Sequence, residues 1–234
     1  MSEEKTPGKK PRVKHKRTAR DPGQNVKTAK GRKSSSTQWL KRQLNDPYVR
    51  EAELKGYRSR AAFKLLEMDE KLDFLRKGQV IVDLGAAPGG WSQIAAQRGA
   101  KVVAIDLLEM DELPDVDFAQ MDFTDDDAVE KLLAMLGGRK ADCVLSDMAP
   151  NTIGHKQTDH IRIMALAEMA FDFAKDVLTP GGTFITKVRQ GGAEGAFLKA
   201  LKVHFKTVKH IKPPASRKDS AEMYVVGLGF KAVE

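Results

Sequence analysis

Three aspartates and a glycine-rich bend are the residues whose types and spacing could hold a ligand for chemistry. The bend, Gly85-Ala86-Ala87-Pro88-Gly89-Gly90, lies between the apolar run VIVDL and a helix-like start at Trp91-Ser92. Its glycines allow backbone to approach a ligand closely, and Pro88 stiffens the approach. Asp106 closes the apolar run VVAID, Asp122 follows VDFAQM, and Asp147 closes CVLSD. One such aspartate is ordinarily a cap or turn residue. Three at successive strand ends above a glycine bend point to a site.

The spacing discriminates between ligands. A dinucleotide fingerprint requires GxGxxG, and the second glycine of that pattern is absent. A phosphate-binding GxxxxGK[ST] loop is also missing, because Gly90 is followed by Trp91 and Ser92. Acidic groups at neighbouring strand ends instead suit a ligand with a ribose and a zwitterionic tail but no phosphate. One carboxylate would accept from ribose hydroxyls and another from an adenine amino group or an ammonium. Lys187 lies in the apolar segment FITKV, where an ammonium is costly unless it has partners, although a lysine near a strand end also reaches solvent. Lys64, beside Ala61, Phe63 and Leu65, reads equally as an exposed lysine paired with Glu67. Glu222 could simply end a loop.

The elements that must position these groups alternate along the chain. Apolar runs occur at Val80–Leu84, Lys101–Asp106, Val116–Gln120, Asp142–Asp147, Thr183–Val188, Thr207–Ile211 and Met223–Phe230, with helical segments starting near Gly90, Asp125, His160 and Ala193. The central runs are apolar almost continuously, as in strands covered on both faces of a parallel sheet. This predicts an α/β fold, a Rossmann-like sandwich. Between the last two runs, Pro213-Pro214 and the polar stretch 215–220 suggest a hairpin and an antiparallel last strand. Asp46-Pro47 reads as a helix start, with helices over 46–74 interrupted at Gly56.

Charge divides the chain. Residues 1–36 carry 12 Lys or Arg against 3 acidic residues, and everything after them sums to −1. With no aromatic residue and no hydrophobic periodicity, residues 1–36 read as a disordered basic tail ahead of one domain, 37–234. Such a tail either solubilises the chain or contacts nucleic-acid phosphates. The single cysteine, Cys143, excludes an intramolecular disulfide and reads as a buried thiol. The N-terminus has no apolar core of a signal peptide, and no stretch approaches the ~18 apolar residues of a membrane span. The expectation is a soluble cytoplasmic protein without a membrane partner.

DLGAAPGGWSQ, SDMAPN, the upstream YRSRAAFKL and the downstream TKV and SAEMY together resemble the RrmJ/FtsJ-type ribose 2′-O-methyltransferases over about residues 37–232. The resemblance implies a class I methyltransferase with a seven-stranded sheet and S-adenosylmethionine as cofactor, contacted by Gly89, Trp91, Asp106, Asp122 and Asp147. It also implies a catalytic set of Lys64, Asp147, Lys187 and Glu222, with Lys187 as proton acceptor. The implied substrate is a uridine of 23S ribosomal RNA, probed by a monomer on the large ribosomal subunit. Arg58, Arg60, Lys156, Arg189, Arg217 and Lys218 would form a basic rim gripping phosphates. Alternatives are a non-catalytic ribosome-assembly factor, a transfer RNA 2′-O-methyltransferase and, disfavoured by the glycine spacing, a nicotinamide-dependent oxidoreductase.

Overall fold

Near-continuous apolar sequence becomes strand buried on both faces. In the computed structural model, which describes residues 34–150, 153–190 and 195–232, the strands are β1 (Val80–Leu84), β2 (Lys101–Asp106), β3 (Val116–Gln120), β4 (Ala141–Ser146), β5 (Leu178–Arg189), β6 (Phe205–Ile211) and β7 (Glu222–Phe230). They form a seven-stranded sheet in the order β3-β2-β1-β4-β5-β7-β6. The pairs among β1 to β5 are parallel. β7 runs antiparallel to both neighbours, as the loop-rich connection from β6 predicts. Its first residues therefore lie at the carboxyl end of the parallel strands, with Glu222 opposite Arg189.

Alternation along each strand sorts side chains onto two faces. Val82, Val103, Val144 and Phe184 join one cluster, packed under α5 (Ala128–Leu136), α6 (Lys156–Val177) and α7 (Gly195–His204). Ile81, Val102, Leu145 and Ile185 join the other, under α3 (Ala61–Leu72) and α4 (Gly90–Gln97). Cys143 is buried there too, and burial pushes its thiol well above the ordinary value.

The remaining helices are α1 (Ser34–Leu44) and α2 (Pro47–Leu54). α2 starts where expected: Asp46 accepts from Tyr48 N at 3.0 Å, and Pro47 occupies the first turn. The predicted break at Gly56 separates α2 from α3, and Gly56 has φ 67°. α1 departs from the sequence reading, because it begins inside the stretch assigned to the tail; its leading serines precede a run of good helix formers. The other tail residues, 1–33, lie outside the described residues, as does the expected helix start at Ala193. α6 starts four residues before His160, capped by the His155 ring, which accepts from Thr158 N. Among the described residues no helix is long and apolar enough to cross a membrane.

Candidate active site

The bend after β1 is held against the loop after β4. Gly85 has φ 81°, and a Cβ there would lie 2.8 Å from Met148 N and 2.9 Å from Met148 Cα. Only glycine fits this left-handed, crowded position. The close approach opens a cleft of about 550 Å³ over the strand ends, lined by Gly85, Ala87, Asp106, Leu107, Leu108, Asp122 and the Asp147–Pro150 loop. Asp106 Oδ2 accepts from Ala87 N at 2.9 Å and its Oδ1 from Leu108 N at 2.8 Å. Asp122 Oδ1 accepts from the Thr124 amide at 2.8 Å and hydroxyl at 2.7 Å, which hold its carboxyl below the usual range.

Asp106, Asp122 and Asp147 thus meet in one cleft, but Gly89 and Trp91 do not line it. A Cβ on Gly89 would point at Met110, Arg58 and Leu113. Trp91 is 2% exposed, and its Nε1 donates to Ala61 O at 2.9 Å. The physical reason is that α4 begins at Gly90 and turns position 91 toward α3. These two residues shape the bend from behind. The opposite wall, absent from the sequence reading, comes from Arg162, Ala165, Leu166 and Met169 of α6. Its signal was the exposed stripe Ile161, Ala165 and Met169 at helical i, i+4 spacing.

Beneath the bend, Asp83 is 1% exposed. Its Oδ2 accepts from Ser92 Oγ at 2.7 Å, while Oδ1 has no hydrogen-bond partner among the described residues. Burial, opposed in part by the Ser92 bond and reinforced by the Asp147 and Asp106 charges, pushes its carboxyl up to about 7.

Next to the cleft the four residues named by motif converge. Lys187 Nζ lies 2.8 Å from Asp147 Oδ1 and donates to the Asp147 carbonyl at 2.7 Å. Lys64 Nζ lies 2.7 Å from Glu222 Oε1. The Tyr224 hydroxyl joins the pairs: it donates to Asp147 Oδ1 at 2.6 Å and accepts from Lys64 Nζ at 3.1 Å. Burial pushes the Tyr224 phenol well above its ordinary value, and the Asp147 and Glu222 charges add to that. Burial alone would raise the Asp147 carboxyl, but Lys187, Lys64 and the bond from Tyr224 outweigh it and hold the group low. Ser216 Oγ donates to Glu222 Oε1 at 3.1 Å. The result is a charge-balanced set of two ammonium groups and two carboxylates, able to aim a hydroxyl and manage its proton.

A model of the FtsJ-like methyltransferase family matches residues 57–230. The chain belongs to that family. A curated relative, Ribosomal RNA large subunit methyltransferase E of Azorhizobium caulinodans, is 63% identical over 212 residues, 88% of each chain. The protein of the same name from Afipia carboxidovorans is 61% identical, over 88% of this chain and 94% of its own. Among solved structures, a ribosomal RNA methyltransferase from Plasmodium falciparum superposes with a TM-score of 0.68 at 35% identity, covering 74% of this chain and 98% of that one. The seven-stranded sheet is the class I methyltransferase fold, as expected from the motifs.

In this FtsJ-like methyltransferase the cations expected at a basic rim divide into two groups. Lys156 and Lys218 are exposed. Arg58 is committed elsewhere: its guanidinium donates to the carbonyls of Asp111 and Glu112, each at 2.6 Å, and braces the loop after β2. Arg60 pairs with Asp46 and donates to Ala215 O, and Arg217 lies 3.5 Å from Asp46. Arg58 and Arg60 therefore serve as struts, each donating to acceptors of neighbouring segments, while Arg60 Nε is buried without a hydrogen-bond partner among the described residues.

Proposed function

We propose that this protein methylates a ribose 2′-hydroxyl of a uridine in 23S ribosomal RNA of the large ribosomal subunit. It would act as a cytoplasmic monomer with S-adenosylmethionine as cofactor. The observation that carries this reading is the closed set Lys64, Asp147, Lys187 and Glu222, joined through Tyr224 at the edge of a cleft rich in carboxylates.

The cleft suits that cofactor by its donor and acceptor chemistry. Asp106 and Asp122 keep acceptor capacity for hydroxyl or amino groups, and Leu107 and Leu108 offer exposed apolar surface beside them. The Gly85 bend would hold the amino-acid end beside Asp147. When bound, S-adenosylmethionine supplies an electrophilic methyl group carried on a sulfonium.

The protein's own groups then have distinct tasks. To accept the hydroxyl proton, the Lys187 ammonium would first release to solvent the proton it carries in the ion pair, leaving two N–H groups and one lone pair. Lys187 within reach of Asp147 Oδ1 and Asp147 O uses both N–H groups there, leaving the lone pair for the hydroxyl proton. Lys64, held by Glu222 and Tyr224, places positive charge where the oxygen becomes more negative. Asp147 fixes Lys187 and, through Tyr224, ties it to Lys64.

The decisive experiment uses large-subunit particles from a strain lacking this protein. Incubation with the purified protein and methyl-labelled cofactor should place label on one ribose, mapped by resistance of that position to alkaline cleavage. Label on a base, on transfer RNA alone, or on nothing would reject the reading.

A further inference from the structure

Charge on this molecule is sorted by sheet edge. Residues 106–130, which carry the loop after β2, the edge strand β3 and the turn into α5, hold 11 acidic residues and no Lys or Arg. Residues 195–218, which form α7, the opposite edge strand β6 and the start of the next loop, hold seven Lys or Arg and no acidic residue. The acidic members Asp111, Glu112, Asp115, Asp117 and Asp125–Asp127 are exposed, as are the basic members Lys199, Lys202, Lys206 and Lys209. None of these four lysines makes a salt bridge among the described residues. Of the remainder, Lys212 donates to Ser220 O at 2.6 Å and Arg217 faces Asp46, so both are already engaged.

The separation matters. Six interstrand gaps place the two edges roughly 29 Å apart, several times the Debye length of about 8 Å at physiological salt. Each edge therefore presents its own sign of charge to a polyanion without cancelling the other. β6 also runs parallel to β5, so its lysines climb from the far end of the sheet toward Ile211, which pairs with Tyr224 of the catalytic set.

We infer that the β6 edge and α7 form a second RNA-docking surface, on which phosphates flanking the target nucleotide lie along Lys199, Lys202, Lys206 and Lys209, while the acidic β3 edge repels the polyanion. The RNA path is thereby polar: it leaves the catalytic set toward β6 and not toward β3. This rests on the reading of the protein as an RNA methyltransferase. Lysines on an edge strand also prevent sheets of different molecules from pairing, a role that needs no RNA affinity.

The test uses the full chain with Lys199→Gln, Lys202→Gln, Lys206→Gln and Lys209→Gln combined. Binding to unmethylated large-subunit particles is measured across a salt series, with steady-state transfer and cofactor affinity in parallel. Expected are an affinity about ten-fold lower or worse and a slope of log affinity against log salt shallower by about 2 to 3. KM for particles rises while kcat and cofactor affinity stay as in the parent. Combined Asp125→Asn, Asp126→Asn and Asp127→Asn changes should leave affinity equal or higher. If the fourfold variant does not fold, Lys206→Gln with Lys209→Gln should still flatten the slope by about 1. An unchanged slope in a folded lysine variant, with or without new self-association, overturns the docking surface. Absence of transfer by the parent protein instead overturns the functional reading, and the two failures are separable because binding is read independently of transfer.

Discussion

The Tyr224 hydroxyl donates to Asp147 Oδ1 at 2.6 Å, the same oxygen that Lys187 Nζ approaches at 2.8 Å. Because burial and two carboxylates keep the phenol protonated, Tyr224 is a fixed donor that steadies Asp147 without competing for the substrate proton. Tyr224→Phe keeps the ring against Trp91, 5.4 Å away between centroids, and removes only the bond. Single-turnover methyl transfer should fall roughly ten-fold and stability by about 1–2 kcal/mol, with cofactor affinity unchanged. Quench-flow and urea unfolding check both numbers, and unaltered transfer would remove Tyr224 from the positioning network.

Lys187→Ala should retain the cofactor and lose transfer by at least ~10²-fold, the usual scale for a positioned proton acceptor. Single-turnover transfer at saturating S-adenosylmethionine checks this, and near-normal transfer by Lys187→Ala would move the acceptor role to another group.

Asp83 links pH to folding. Its carboxyl titrates near 7 when folded, against an ordinary value of 3.8, so the folded state holds a proton that the unfolded chain has released between those values. Stability is therefore lost as pH rises through that window, with a cost on the order of 4 kcal/mol once the buried group is ionised. Asp83→Asn should match the parent near pH 4 and be more stable at pH 8. Urea unfolding at both values provides the comparison; equal stability at pH 8 would contradict it.

Gly85→Ala should be damaging in two ways. The left-handed φ costs about 1–3 kcal/mol in a non-glycine residue, and the new methyl group meets backbone of Met148, which cannot swing aside. Both a lower melting temperature and weaker S-adenosylmethionine binding by calorimetry are expected. The same substitution at Gly138, where a Cβ would find open space, should leave cofactor binding intact.

Strand positions were legible because VIVDL and KVVAID are sharply bounded, largely apolar runs, and carboxylates that follow such runs sit at strand ends. Asp106, Asp122 and Asp147 could therefore be placed beside one another. The facing of Gly89 and Trp91 could not, since adjacency to a bend does not say which side of the following helix meets the ligand. The intramolecular bonds of Arg58 and Arg60 were not legible because their acceptors, Asp111 and Ala215, lie 53 and 155 positions away. Tyr224 escaped notice for a related reason. Its role follows from sheet register, which sets it directly opposite Lys187, and a single chain's pattern does not fix register between strands so distant in sequence.

The reversed strand β7 also sets the order in which the protein can become competent during its own synthesis. Lys64 and the Tyr224 hydroxyl that accepts its hydrogen bond are 160 residues apart, and Glu222 belongs to the same late strand. Until β7 leaves the ribosome and inserts between β5 and β6, the nascent chain has Lys64, Asp147 and Lys187 but lacks the groups that bind them together. β7 is thus the final structural strand and the catch that closes the cluster, so a chain stopped short of it would have neither a complete sheet nor the ion-paired network of Lys64, Asp147, Lys187 and Glu222.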